Sequence, residues 1–187
     1  MALTVLDPKT ALIVIDLQKG ILALTTARPA MDVIEQAAVL ADAFRRHDLR
    51  VVLVNAAGGA PGRTEQPFRG GPRPVDATEL VPELHHQPAD HTVTKQTWGA
   101  FMNTDLDAYL KGLGVTQVVV AGIATSAGVE STARQAHEHG FNVTLAVDAM
   151  TDMSADAHFN SVTRIFARLG ETGTTAEIVE LLETRRD

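Results

Sequence analysis

The chain has 187 residues, 45% of them hydrophobic, enough to bury one substantial core and too few for two independent ones. A formal net charge of -7 offers no basic face to release counterions from nucleic acid or to hold anionic lipid headgroups, so neither is expected as a partner. With no cysteine there is no disulfide framework, no thiolate metal site and no sulfur redox chemistry.

Met1 to Lys9 lack a basic patch followed by a long apolar core, and the apolar run from Ala11 to Ile15 is far too short to span a bilayer. A cytoplasmic enzyme or binding protein, folded as one domain over residues 1–187, is the expectation. The run Ala11-Leu-Ile-Val-Ile15 is rich in β-branched residues and stops at Asp16, as a strand buried on both faces would. From Ala30 to His47 the apolar positions Val33, Ile34, Ala37, Leu40, Ala41 and Phe44 fall at helical spacing. Arg50 to Asn55 is a second buried strand, so the first three elements predict a right-handed parallel unit.

Between Ala57 and Pro74 the composition turns to glycine and proline with Arg63, Arg69 and Arg73 interspersed, which predicts a long irregular loop, a lid or an oligomer contact. His91 to Thr94 is a third, weaker strand with Lys95 at its carboxyl end. Thr104 is placed as N-cap of a helix through Leu113, closed by Gly112 or Gly114. Strand four covers Gln117 to Ala121, and a helix follows from Val129 to His139 with Gly140 as its C-terminal cap. A fifth strand, Asn142 to Val147, ends at Asp148. A helix from Ala155 to Leu169 takes Ser154 as N-cap, and Thr174 with Glu177 forms a capping box for a last helix through Leu182. Alternation of strands and helices of these lengths predicts a three-layer α/β/α sandwich around a mostly parallel central sheet.

That topology gathers Asp16, Lys95 and the turn from Gly122 to Gly128 at the carboxyl edge of the sheet, where open α/β sheets hold their ligands. Burial raises the pKa of a strand-end carboxylate while a nearby ammonium lowers it, an opposition that tunes acids and bases. The bland alternatives are a turn aspartate and a solvated surface lysine. His85, His86 and His91 lie in a polar stretch without companion ligands, so no metal is expected, and nothing calls for a cofactor.

The segments Ile15-Asp-Leu-Gln18, Lys95-Gln-Thr-Trp-Gly-Ala-Phe101 and Gly122-Ile-Ala-Thr-Ser-Ala-Gly-Val-Glu-Ser-Thr-Ala-Arg134 resemble the isochorismatase-like hydrolases, also called cysteine hydrolases. The resemblance runs from Ala11 to Leu182. It implies a catalytic Asp, Lys and Cys, of which the first two match Asp16 and Lys95 while the third falls on Gly128. It also implies a non-prolyl cis peptide between Ile123 and Ala124 and an oxyanion hole built from the amides of Ala124 and Gly128. Pocket positions carried over are Trp98, Phe101, Ile123 and Thr125, with core packing the open alternative for the Trp98 and Phe101 stretch. Gln18, two residues past the acid, is a candidate for hydrogen-bonding a substrate amide or a water, and Arg63 for pairing a substrate carboxylate, unless it is simply a solvated loop residue.

Thr125, Ser126 and Ser131 are conceivable replacement nucleophiles, but turn and capping hydrogen bonds are the plainer role for the first two. True isochorismatases resemble this chain in having glycine at the cysteine position and use the Asp as general acid on a vinyl ether. Their glutamine after the second strand and their tyrosine in the turn align with Ala57 and Ala124. The nicotinamidase branch carries an Asp-x-His metal pair where this chain has Val54-Asn-Ala-Ala57. The leading expectation is therefore a small-molecule hydrolase, cleaving an amide or a vinyl ether without a cysteine, with Asp16 as general acid or base beside Lys95. The alternatives are a silent metabolite-binding relative and a cysteine amidase whose cysteine has been replaced at position 128. The resemblance further implies a homo-oligomer, a dimer or larger.

Overall fold

The computed structural model describes residues 3–22, 24, 26–65 and 74–185, so Arg69 and Arg73 of the Gly/Pro loop lie outside the described residues. The strands are β1 (Thr10–Ile15), β2 (Arg50–Ala56), β3 (His91–Lys95), β4 (Gln117–Ile123), β5 (Asn142–Thr151) and β6 (Glu171–Gly173). The α-helices are α1 (Lys19–Leu22), α2 (Ala30–Arg46), α3 (Leu106–Gly112), α4 (Glu130–Glu138), α5 (Ala155–Asn160) and α6 (Thr175–Glu183). Among the described residues the six strands pair in parallel throughout, in the order β3-β2-β1-β4-β5-β6, and one isolated antiparallel bridge joins Gln18 to Leu80 outside them.

Two separate cores sandwich the sheet, as the alternation of side chains in a strand requires. Leu12 and Val14 of β1 pack with Val33, Ile34, Leu40 and Phe44 of α2 and with Ile178 and Leu182 of α6. Ala11, Ile13 and Ile15 face the other way, against Leu106 and Leu110 of α3 and Ala133 and Ala136 of α4. The central strands β1 and β4 are buried throughout, which explains their unbroken apolar runs. The strand order runs outward in opposite directions from β1 and β4, so a crevice opens between their carboxyl ends. Asp16 leaves one lip of it and Ala124 the other.

Several elements depart from the sequence reading. β4 runs two residues further, to Ile123. β5 does not stop at Val147: Val120 pairs with Leu145 but Gly122 pairs with Met150, so the strand bulges through Asp148 and resumes as far as Thr151. Asp148 sits in that bulge and accepts hydrogen bonds from the Thr175 N–H (2.7 Å) and hydroxyl (3.0 Å), anchoring the start of α6. The expected helix from Ala155 to Leu169 is a helical path in three registers: α5, a π turn over Ser161–Ile165 and a 3-10 turn over Phe166–Arg168. A π turn over Thr125–Val129 likewise precedes α4.

Asp105 directly precedes α3 and makes no side-chain cap bond, whereas the Thr104 hydroxyl accepts from the Leu106 N–H at 3.4 Å and donates to the Ala100 carbonyl at 2.6 Å. The Thr174–Glu177 capping box and the Ser154 cap both form. Among the described residues no helix is long and apolar enough to cross a membrane.

Candidate active site

Asp16 follows β1 in a left-handed conformation (φ 53°) and donates its N–H to the Val54 carbonyl at 2.9 Å, which turns the chain at the sheet edge while keeping it tied to β2. Lys95 closes β3, two strands away, and its long stem crosses the end of β2 to reach the same point. Its ammonium lies 2.8 Å from Asp16 Oδ2. It also donates to the Trp98 carbonyl at 2.8 Å and the Thr97 carbonyl at 3.2 Å. Three protons thus meet three oxygens, and Lys95 is 2% exposed.

Burial pushes the Asp16 carboxyl up from 3.8 to about 6, against the pull of the Lys95 charge and its hydrogen bond. The two carboxyl oxygens are unequal: Oδ2 is held by Lys95, whereas Oδ1 is buried without a hydrogen-bond partner among the described residues. Such an oxygen is costly to leave bare, and it is the natural place for a proton or a substrate atom.

The opposite lip is built from the turn after β4. Gly122 takes φ 119°, and the Ile123–Ala124 peptide is cis, as the family resemblance implied. The Ala124 carbonyl then accepts from the N–H groups of Ala127 (3.2 Å) and Val129 (3.1 Å), winding the π turn around it. Gly128 faces the acid–lysine pair: a β-carbon there would lie 3.2 Å from Asp16 Oδ2 and 3.4 Å from Lys95 Nζ. The Ile15 Cγ2 methyl would be nearer still, at 2.9 Å, so a side chain at position 128 fits only if these neighbours give slightly.

Two residues of the carboxyl edge hold this turn from outside. Asp152, just beyond β5 and 3% exposed, accepts from the Ser126 N–H (2.7 Å) and hydroxyl (2.8 Å). Thr125, fully buried, pairs with His158 Nδ1 of α5 at 2.8 Å. Burial depresses the His158 imidazole below its ordinary value, countered by Asp152. Both hydroxyls are engaged in bonds that brace the turn, and neither residue lines the cleft between the lips.

A cleft of about 230 Å³ opens between the lips, bounded by Asp16, Lys95, Ala124 and Gly128 on its polar side and by Ile21, Leu24, Trp98, Ile123 and Met153 around the rest. Asp16, Lys95, Gly128, Ala124, Trp98 and Ile123 therefore come together where the sequence put them.

Four assigned positions do not. Gln18 is 3% exposed; its amide nitrogen donates to the carbonyls of Ala56 (3.1 Å) and Ala77 (2.9 Å) and its oxygen accepts from the Ala56 N–H (2.6 Å), so it staples the end of β2 to the following loop and has no proton left for a substrate. Phe101 is in the core between His139 and Phe141, not in the cleft. Thr125 points to His158, and Arg63 is exposed away from the cleft. Ile21 and Met153 were missed, because only the folded chain brings α1 and the end of β5 to this wall. His91 stacks on Tyr109 with ring centroids 3.8 Å apart and pairs with Asp105.

A six-stranded parallel sheet with helices on both faces, and a buried acid–lysine pair at its switch point, define a three-layer α/β/α sandwich with a candidate site at its carboxyl edge. Residues 10–177 match the Isochorismatase domain, and the chain belongs to the isochorismatase family. It is 42% identical over 179 residues to the uncharacterized isochorismatase family protein YwoC of Bacillus subtilis, covering 92% of this chain and 93% of that one. Among solved structures, an isochorismatase family protein of Burkholderia thailandensis superposes with a TM-score of 0.91 at 40% identity, over 96% of this chain and 98% of that one. The N-carbamoylsarcosine amidase of Thermoplasma acidophilum superposes with a TM-score of 0.75 at 25% identity, over 89% of this chain and 96% of that one.

Proposed function

We propose that the protein hydrolyses a small molecule by general acid catalysis from Asp16, without a covalent enzyme intermediate. The observation that carries this reading is the asymmetric carboxyl: Oδ2 fixed by Lys95, Oδ1 buried and unpartnered, and an acidity set near pH 6. An acid of that strength is protonated often enough near neutrality to donate, and its conjugate base is strong enough to recover the proton.

A vinyl ether suits this machinery better than an amide, because its cleavage begins with a proton and needs no enzyme nucleophile. Asp16 delivers its proton to the terminal vinyl carbon, leaving an oxocarbenium ion beside the carboxylate. Water adds to that ion, Asp16 takes the proton the water gives up, and the hemiacetal or hemiketal so formed separates into a carbonyl compound and an alcohol. Lys95 holds the carboxyl in place throughout. The amides of Ala124 and Gly128 are the donors we assign to oxygen at the other lip.

The test is a panel of vinyl ethers and amides assayed with the protein and with Asp16→Asn. Turnover of a vinyl ether that drops by about 10²–10⁴ in the variant supports the mechanism, as does a kcat/KM that declines about tenfold per pH unit above pH 6. Undiminished turnover by Asp16→Asn, or no turnover of any member of the panel, overturns it.

A further inference from the structure

The cleft that the proposed function uses also has a recognisable taste in ligands. Its walls are Ile21, Leu24, Ile123, Ala127 and Met153, with the Trp98 ring, 64% exposed, at the mouth. The cation that lines it among the described residues, Lys95, has its three protons committed to Asp16 and to the carbonyls of Thr97 and Trp98. An entering carboxylate would have to break one of those bonds, and it would meet Asp16 at short range in a chain of net charge -7. An apolar ring instead gains burial against the aliphatic wall, an indole face at the entrance and the Met153 thioether. Size points the same way. A dry cavity of about 150 Å³ is enough for benzene, so a cleft of about 230 Å³ takes a single ring with a short substituent.

We infer that the substrate is a neutral, flat, apolar molecule of about one ring and a short arm, the arm carrying the bond to be cleaved, and that anionic carboxylates are selected against. The inference rests on this cleft being the substrate site. It sets a direction for binding above pH 6, where Asp16 is ionised: an uncharged aryl ether is taken up in preference to the same ether bearing a ring carboxylate.

Trp98 is the chain's single tryptophan and stands at the mouth, so its fluorescence reports occupancy directly and independently of turnover. Benzamide and benzoate are nearly isosteric and differ in charge. Titrated into the full chain at pH 7.5, benzamide is expected to bind at least about tenfold more tightly than benzoate, because like charges brought together cost several kcal/mol. Met153→Lys, at a half-exposed position of the wall, is expected to narrow or invert that ratio by strengthening benzoate. Equal or tighter binding of benzoate by the unmodified chain overturns the inference, as does the absence of binding by both ligands in fluorescence and calorimetry.

The two readings fail separately. Benzamide preference without turnover of any ether sinks the acid mechanism and leaves the ligand class standing. Faster turnover of the carboxylated ether, still lost in Asp16→Asn, sinks the ligand class alone.

Discussion

Asp16 and Lys95 are read most usefully as one unit in which burial and charge pull in opposite directions. Burial wins, and the acid sits near 6 because Lys95 keeps it from going higher. Lys95→Met removes that restraint. The alkaline limb of kcat/KM is expected to move above pH 6 while kcat falls about tenfold from loss of positioning, a combination that a purely structural defect would not produce. A limb that stays in place, measured across pH 5–9, would show that Lys95 does not set the acidity. Asp16 was legible as the charge that stops an unbroken apolar strand, although a turn aspartate explains it equally well; Lys95, after the weak polar strand His91–Thr94, and the turn amides were legible only through the family resemblance. Gln18 was misjudged for a physical reason: the carbonyls of Ala56 and Ala77 that capture its amide become its neighbours only after a distant loop folds back.

Gly122 controls how the central elements meet. Its φ of 119° is closed to side chains, and a β-carbon there would collide with the Ile15 carbonyl on the neighbouring β1. Gly122→Ala is therefore expected to cost at least about 4 kcal/mol or to prevent folding. Gly112→Ala in α3, where a β-carbon meets nothing, is the control and is expected to stabilise by about 0.5–1 kcal/mol. Urea unfolding of both variants checks the pair; similar midpoints would contradict the packing argument. At this scale the buried strands and long helices were readable from periodicity. The bulge in β5 was not, since Asp148 looks like a strand end until its carboxylate is seen to anchor α6. Nor was β6, whose three residues are too short to carry a pattern.

For the molecule as a whole, the buried acid links folding to pH. Because the folded value of Asp16 lies above its unfolded 3.8, the native state holds the proton more tightly. The stability this provides is complete below about pH 4 and is lost as pH rises through about 6, a span worth about 3 kcal/mol. Unfolding free energies at pH 4 and 7.5, with those of Asp16→Asn subtracted to cancel all other groups, are expected to show that decline. A flat difference would place the acidity near its ordinary value. The architecture itself was legible from the alternation of elements. The strand order was not derivable from local pattern, because parallel strands leave their neighbours unspecified.

The Lys95 ammonium hangs from three points, and two of them belong to the short loop that also carries the Trp98 ring. The acid and the cleft entrance are therefore joined by a single tether. A ligand that shifted the Trp98 backbone would change how much of the lysine's hydrogen bonding is left for Asp16, so on the proposed mechanism the acidity of Asp16 would report whether the doorway is filled.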